Sequence, residues 1–179
     1  DATHICMLDT DHIHPRDVVE RLGRWVLHDR EKQVVGGLHF RRGEPYEPCA
    51  FVYGADGKLH AGVKWDTGLI EVHAIGHGTL LVAREVFEKI EHPWWAYTYS
   101  VAAEDVYPSE DMYFSHQCQG AGIKLWCDTT LTSPHLIYGT VTEKTFRDYL
   151  ADHDNEIKYL KPKQRQLSSK EAVNEPVEA

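Results

Sequence analysis

Three features are scarce or missing in this 179-residue sequence, and each absence excludes a class of protein. No uninterrupted apolar run approaches the roughly 18 residues of a membrane-spanning helix, so no transmembrane segment is expected in the chain. The four cysteines form no Cys-x-x-Cys pair, which argues against a structural zinc site and a redox dithiol. Lys and Arg number 19 against 28 Asp and Glu, so the sequence lacks the general basic surface that binds nucleic acid, and nucleic acid is not an expected partner.

The remaining composition is that of a globular protein, with 42% hydrophobic residues and a formal net charge of -9. We predict one domain over residues 1–160 and a flexible polar tail over 161–179, where almost no residue is apolar. Cys6, Cys118 and Cys127 stand in apolar stretches that predict buried thiols. Unpaired thiols favour a reducing compartment, which makes the cytoplasm the expected location.

Strand and helix patterns alternate along the chain, which predicts an α/β fold with a largely parallel sheet. Strands are predicted over 3–8, 33–40, 69–74 and 123–128, and helices from residue 15, over about 84–91, from 110 and over 141–150. A hairpin around Ala55-Asp56-Gly57 adds a mixed or antiparallel element. In open sheets of this kind, ligands bind beyond the carboxyl ends of the strands.

Two carboxylates separated by one residue follow the first predicted strand, in the stretch "MLDTDH". Asp9 and Asp11 would repel each other unless a divalent cation lay between them and a negatively charged ligand. Mg²⁺ and Mn²⁺ prefer carboxylate oxygens and leave positions open for phosphates. Compensation of a helix dipole and simple solvation are the alternative explanation, and His12 and His14 in the same loop are secondary candidates.

Three later residues can complete such a site. Glu110 and Asp111 open a predicted helix, where an acid can accept a proton from a substrate hydroxyl, although capping explains them equally well. A helix N-terminus lowers the pKa of an acid, so we expect a weak base that acts through its position. His135 follows the last predicted strand, and a neutral imidazole beside two carboxylates suits Mn²⁺ or Mg²⁺; a hydrogen-bonded structural histidine is the alternative.

Glycines and tryptophans in the middle of the chain are candidates for lining a ligand-binding site. Gly76 and Gly78 flank His77, and glycines let the backbone approach a ligand closely, although this stretch lacks the lysine of a phosphate-binding loop. Trp94 and Trp95 can stack on sugar rings, or serve as core or interface anchors. These residues remain candidates for donor or acceptor binding.

Taken in order, four stretches resemble the consecutive landmarks of a GT-A fold glycosyltransferase, most similar to glycosyltransferase family 2: "MLDTDH", "IGHGTLLVAREVFEKI", "SEDMYFSHQCQGAGIKLWCD" and "SPHL". The resemblance covers about residues 3–136. It implies a GT-A-like nucleotide-diphospho-sugar transferase sandwich with a mixed sheet, from the D-x-D strand onward. The usual N-terminal half that binds the nucleobase would be lacking, and a partner segment would complete the nucleotide pocket.

The same resemblance implies a ligand set for the divalent cation, Mn²⁺ or Mg²⁺. Asp11 would be the direct ligand in the D-x-D motif, and Asp9 would lie nearer the ribose or a metal-bound water. His135 would be the late ligand of the metal or the diphosphate. The implied activity is transfer of a sugar from a nucleotide-sugar donor to a hydroxyl of a carbohydrate, lipid-linked or protein acceptor.

Catalytic and substrate-binding roles also follow from the resemblance. Asp111 would be the base toward the acceptor hydroxyl, as is usual in inverting members, and Glu110 would help to hold the acceptor. Gly76, His77 and Gly78 would line the donor-sugar and acceptor site, and Trp94 and Trp95 would border the acceptor. Two rival functions remain open: a noncatalytic binding module on the same fold, completed by another chain or segment, and a metal-dependent phosphohydrolase using the same acids.

Overall fold

The computed structural model describes residues 2–97, 109–137 and 139–152. Within these ranges the helices are α1 (Val18–His28), α2 (Arg84–Lys89), α3 (Glu110–Gly120) and α4 (Glu143–Asp152). The strands are β1 (His4–Leu8), β2 (Val34–Leu38), β3 (Ala50–Tyr53), β4 (Leu59–His60), β5 (Leu69–Val72), β6 (Ala74–Ile75), β7 (Thr79–Ala83), β8 (Leu125–Thr132), β9 (His135–Leu136) and β10 (Thr140–Val141). The predicted polar tail lies outside the described residues.

The main sheet has five strands in the order β1-β7-β2-β8-β5. Strands β2 and β8 run parallel, whereas β1 with β7, β7 with β2, and β8 with β5 are antiparallel. The prediction of an α/β fold with a mixed sheet is confirmed, but the expectation of a largely parallel sheet is wrong. The reason is that the chain reverses direction in the hairpin region after β2, so β7 enters between β1 and β2 in the opposite sense.

The apolar run of the first strand predicts burial on both its faces, but this prediction is wrong, because β1 lies at the edge of the sheet and is partly exposed. Ile5 is 42% exposed and Leu8 is 38% exposed. Cys6 is exposed as well, so the prediction of a buried thiol holds for Cys118 and Cys127 but not for Cys6. An apolar run predicts a strand, but it does not reveal whether a neighbouring strand covers its second edge.

Local signals in the sequence mark most of the other elements correctly. The predicted hairpin is formed by β3 and β4, and Gly57 has φ +72° at its turn. Ser109 caps α3, since its hydroxyl accepts a hydrogen bond from the Met112 N–H at 3.4 Å. Strand β8 continues to Thr132, beyond the predicted end, and the strand predicted over 69–74 is split at His73.

Two apolar clusters cover the two faces of the sheet. Neighbouring residues in β2 and β7 contribute to opposite clusters: Val34 and Leu80 pack with the larger one, and Val35 and Leu81 pack with the cluster under α1. Strands β1 and β2 both run antiparallel to β7, and β8 runs parallel to β2, so β1, β2 and β8 point in the same direction. Their carboxyl ends therefore lie at the same edge of the sheet, the one formed by the strand ends. The candidate residues that follow β1 and β8 therefore lie at the same edge.

None of the helices in the described ranges is both long enough and apolar enough to cross a membrane.

The edge position of β1 predicts the reactivity of the thiols. In the folded protein, a maleimide reagent should label Cys6 first, although partial burial raises its pKa, and the buried Cys118 and Cys127 only after denaturation, because reaction requires access to the thiolate. Burial also raises the pKa of Cys49 to about 12, which keeps this thiol unreactive. Mass spectrometry of timed samples measures the labelling. The Cys6→Ser variant should lose the fast phase; a fast phase that persists in this variant would contradict the position of β1.

Candidate metal centre and base

A backbone contact joins the loop after β1 to the segment after β8. The Leu136 N–H donates to the Asp11 carbonyl oxygen at 2.7 Å, and His12 and His135 face each other as an isolated antiparallel bridge. Side chains on directly opposed residues of such a bridge lie on the same side. Asp11, His12 and His135 are therefore brought together from distant parts of the sequence, as the D-x-D prediction requires of Asp11 and His135.

His135 directs one ring nitrogen at a carboxylate. Its Nδ1 lies 3.0 Å from the Phe40 carbonyl oxygen, which only accepts, so Nδ1 carries the proton of the neutral ring. Its Nε2 then holds a lone pair, 3.2 Å from Oδ2 of Asp11. Two acceptors at this distance repel each other unless a proton or a cation lies with them. A backbone carbonyl on the far nitrogen is also the usual arrangement for a metal-binding histidine.

His12 completes a group of three possible metal ligands. Its side chain is 1% exposed, and its ring stacks on His135 with centroids 4.1 Å apart. Nδ1 lies 3.1 Å from Oδ1 of Asp11 without the alignment of a hydrogen bond, and neither ring nitrogen has a hydrogen-bond partner. Desolvation, with the neighbouring His135, lowers the pKa of His12, which keeps the ring in the neutral form that binds metals. One ligand atom from each residue lies within 4.8 Å of the others.

Asp11 is held ionised by its surroundings. Desolvation acts to raise the pKa of Asp11, but the hydrogen bond and charge of His135, with the charges of His12 and Arg42, lower it. Arg42 Nη1 lies 3.2 Å from Asp11 Oδ2. Sequence reasoning missed Arg42 as a site residue. The sequence feature that could have identified it is the pair Arg41-Arg42, which follows β2 closely and so lies where the candidate residues meet.

The other histidine of this loop is fully engaged. The Nε2–H of His14 donates to the Asp9 carbonyl oxygen at 2.9 Å, and its Nδ1 accepts from the Ser133 hydroxyl at 3.1 Å. That hydroxyl accepts in turn from Thr79 at 2.9 Å. His14 therefore has no free nitrogen for a metal and positions the backbone of Asp9. The Asp9 carboxylate is not a member of the ligand group, so its predicted place near the ribose or a metal-bound water stays a prediction.

The tripeptide Gly76-His77-Gly78 lies against the histidines of the site. A Cβ on Gly76 would lie 2.6 Å from the ring of His39, and a Cβ on Gly78 would lie 2.6 Å from the ring of His12. Burial lowers the pKa of His39 to about 3. The absence of side chains at both glycines is explained by this close approach of two imidazoles. Their predicted contact with the donor or acceptor stays a prediction.

Asp111 is a carboxyl group with a strongly perturbed pKa. Desolvation, the charge of Glu110 and a smaller contribution from Asp9 raise the pKa of Asp111 to about 7, against a hydrogen bond from the His77 N–H at 3.3 Å. The expectation that the helix N-terminus would lower this pKa is wrong, because burial outweighs the helix dipole here. Asp9 therefore contributes, with the same sign as Glu110, to keeping the Asp111 carboxyl protonated.

The two tryptophans pack against the core beside Asp111. The indole N–H of Trp95 donates to His77 Nδ1 at 2.9 Å, and its ring stacks on Phe114 with centroids 5.3 Å apart. Trp94 packs on Phe87. Both tryptophans are half-buried, so the anchoring role is realised. Their predicted border with an acceptor stays a prediction.

Comparisons with known proteins add information on the fold. No family model and no curated protein matches the chain. Among solved structures, the chain is similar to one described as the crystal structure of A197 from STIV, with a TM-score of 0.52 and 20% sequence identity. The match covers 76% of this chain and 59% of that chain, so the chain spans little more than half of this neighbour. At this identity the likeness shows a shared fold alone.

Replacement of Gly78 tests the packing of the centre. In Gly78→Ala, the added methyl group would meet the ring of His12, so Mn²⁺ affinity measured by titration calorimetry should fall by about tenfold or more. Gly23→Ala is the matched control, because Gly23 lies in α1 with no atom within 4 Å of the added Cβ. That variant should keep its Mn²⁺ affinity and gain about 0.5–1 kcal/mol of stability. Equal Mn²⁺ affinities of the two variants would contradict this packing.

The pKa of Asp111 predicts how stability depends on pH in chelator-treated protein. The pKa of Asp111 is about 7 in the folded protein, against an ordinary value of 3.8. Its contribution to the free energy of unfolding is therefore complete below pH 3.8 and is lost as the pH rises towards 7. Asp111→Asn should therefore raise the melting temperature at pH 8 but not at pH 4. Discounted for partial exposure, the gain of about 1 kcal/mol corresponds to about 2–4 °C.

Asp17→Asn is the matched control for this measurement, since Asp17 is exposed and its side chain makes no capping hydrogen bond. Its melting temperature should follow that of the unmodified protein at both pH values. A gain for Asp111→Asn that is the same at pH 4 and pH 8 would exclude the raised pKa.

Proposed function

We propose that this chain carries the catalytic centre of a metal-dependent glycosyltransferase of the GT-A type, which moves a sugar from a nucleotide-diphosphate donor to an acceptor hydroxyl. The observation that carries the proposal is the meeting of Asp11 and His135, whose Oδ2 and Nε2 atoms lie 3.2 Å apart. A contact of this kind is favourable with a cation beside it. The resemblance of the four sequence stretches supplies the reaction class.

The donor side of the proposed site combines a cation with a guanidinium group. A divalent cation bound there would neutralise the charge that develops on the departing diphosphate. Arg42 is 60% exposed and contacts the outer oxygen of Asp11. A guanidinium group matches phosphate oxygens in charge and geometry, so Arg42 is the residue that we assign to the diphosphate.

The acceptor side uses Asp111 as the general base. A base works best when its pKa lies near the working pH, and the pKa of Asp111 is raised to about 7. The carboxylate takes the proton of the acceptor hydroxyl as the oxygen attacks the sugar carbon, and the His77 N–H holds Oδ2 in place during the transfer. Glu110 precedes the base at the start of α3 and is assigned to the acceptor.

A further segment that pairs with β1 is part of the proposal. Among the described residues, β1 pairs with β7 alone, which leaves the backbone groups of its outer edge available. Ile5 and Leu8 expose apolar surface on this strand. Exposed edge strands with apolar side chains are sites for addition of another strand. A segment added here would lie beside the D-x-D loop, where a nucleoside would have to bind.

Two substitutions separate the proposed roles of the acids. With Mn²⁺ and a panel of nucleotide sugars, Asp11→Asn should weaken metal-dependent nucleotide binding about 10–100-fold, because it removes a ligand of the cation. Asp111→Asn should lower the transfer rate about 10²–10⁴-fold and leave binding nearly unchanged, because it removes the base alone. Thermal shift measures binding, and release of free nucleotide measures transfer.

Asp17→Asn serves as the control in both assays and should behave as the unmodified chain. An Asp111→Asn variant with full activity would eliminate this residue as the base. Binding of no nucleotide by the unmodified chain would favour a noncatalytic module, and release of inorganic phosphate would favour a phosphohydrolase. Either result would overturn the proposed transfer.

A further inference from the structure

The ligand group at the D-x-D loop is richer in nitrogen than a D-x-D motif suggests. It offers two imidazoles, from His12 and His135, and one carboxylate, from Asp11. The sequence pattern predicts two carboxylates and one imidazole, since Asp9 occupies the first position of the motif. The Asp9 carboxylate is outside the group, and His12 stands where the motif predicts Asp9. The site therefore offers an imidazole nitrogen in place of a second carboxylate.

His12 is the observation that points to a ligand rather than to a solvated acidic loop. Its side chain is 1% exposed, yet both ring nitrogens lack a hydrogen-bond partner. A buried polar atom without a partner costs free energy, so such atoms are rare and call for a missing partner. Gly78 and the ring of His135 enclose the imidazole, so it has little freedom to turn towards water.

His135 supports the same interpretation through its second nitrogen. The Nδ1–H is donated to the Phe40 carbonyl oxygen, which leaves Nε2 as an acceptor aimed at Asp11. His14, two positions after His12, shows the contrast, because both of its nitrogens are used by protein groups. His39 Nδ1 and His77 Nε2 are also buried without a hydrogen-bond partner, but neither residue belongs to the ligand group.

We propose that the cation of this site is a transition metal, such as Mn²⁺, Fe²⁺, Co²⁺ or Zn²⁺, bound by Asp11, His12 and His135, and that Mg²⁺ and Ca²⁺ do not compete for it. Imidazole nitrogens suit the transition metals, whereas Mg²⁺ and Ca²⁺ require oxygen ligands. Three protein ligands leave coordination positions open. The inference rests on the proposed function for the purpose of those positions, which is to bind diphosphate oxygens.

The test uses Co²⁺ alone with the full chain after treatment with a chelator. Co²⁺ bound by nitrogen ligands gives a visible absorption band, so binding is measured without any activity. We expect saturable binding that Zn²⁺ abolishes and that Mg²⁺ leaves unchanged at about a hundredfold excess. His12→Gln should weaken Co²⁺ binding by at least about tenfold. His28→Gln is the matched control, since His28 is exposed at the far end of α1, and it should bind Co²⁺ as the unmodified chain does.

A second measurement needs no variant and covers the case in which His12→Gln fails to fold. In ¹⁵N NMR of the unmodified chain, Zn²⁺ should shift the ring nitrogens of His12 and His135 and leave those of His14 in place. Unchanged His12 resonances, or displacement of Co²⁺ by Mg²⁺ at comparable concentration, would overturn the inference.

The outcomes of this test are separable from those of the proposed function. Transfer that Mg²⁺ supports as well as Mn²⁺ would overturn the selectivity and keep the glycosyltransferase. Co²⁺ binding that depends on His12, in a chain that binds no nucleotide, would keep the metal centre and overturn the glycosyltransferase.

Discussion

The site depends on one close contact between an imidazole nitrogen and a carboxylate oxygen, which a proton or a cation must stabilise. In the neutral ring of His135, the Nδ1–H donates to the Phe40 carbonyl oxygen and the Nε2 lone pair faces the Asp11 carboxylate at 3.2 Å. The side chains cannot avoid each other easily, because the Leu136 N–H binds the Asp11 carbonyl oxygen and fixes the two segments in register. A backbone contact thus holds the two groups close together, and the Arg42 guanidinium, 3.2 Å from the same Asp11 Oδ2, offsets part of the repulsion. Conflicts of this kind are found at functional sites, where a bound ligand resolves them.

The architecture of the sheet explains why the conflict arises at this edge. The carboxyl ends of β1, β2 and β8 meet there, and each contributes one part: the acidic loop, the Phe40 carbonyl and the His135 segment. Thr79, at the start of β7, begins the hydroxyl relay through Ser133 to His14, which fastens the loop backbone at Asp9. Buried polar groups in this relay all have partners, whereas those of His12 do not. The difference between the two histidines is therefore local and structural, although both belong to one sequence motif.

Features with a local cause could be predicted from the sequence, and features with a distant cause could not. Ser109 and Gly57 mark a helix start and a turn through their own chemistry, so α3 and the hairpin were predictable. The edge position of β1 depends on which strands pair with it, and an apolar run carries no such information. Asp11 was predictable as a candidate ligand by its residue type, whereas His12 joins the candidate group through its bridge with His135. The pKa of Asp111 depends on burial, which opposed the local effect of the helix terminus.

The cation ligands and the proposed base are also coupled mechanically, through the three residues 76–78. Gly78 lies against the ring of His12, and the backbone N–H and Nδ1 of His77 both contact the Asp111 carboxyl, the second at 3.1 Å. Gly78 follows His77 directly, so the group that contacts His12 and the group that contacts Asp111 are one peptide unit apart. Asp111 is also sensitive to the charge of Asp9, so neutralisation of the acidic loop would lower its pKa and favour the carboxylate form. The candidate ligand group and the proposed base are therefore connected by contact through residues 76–78 and by charge through Asp9.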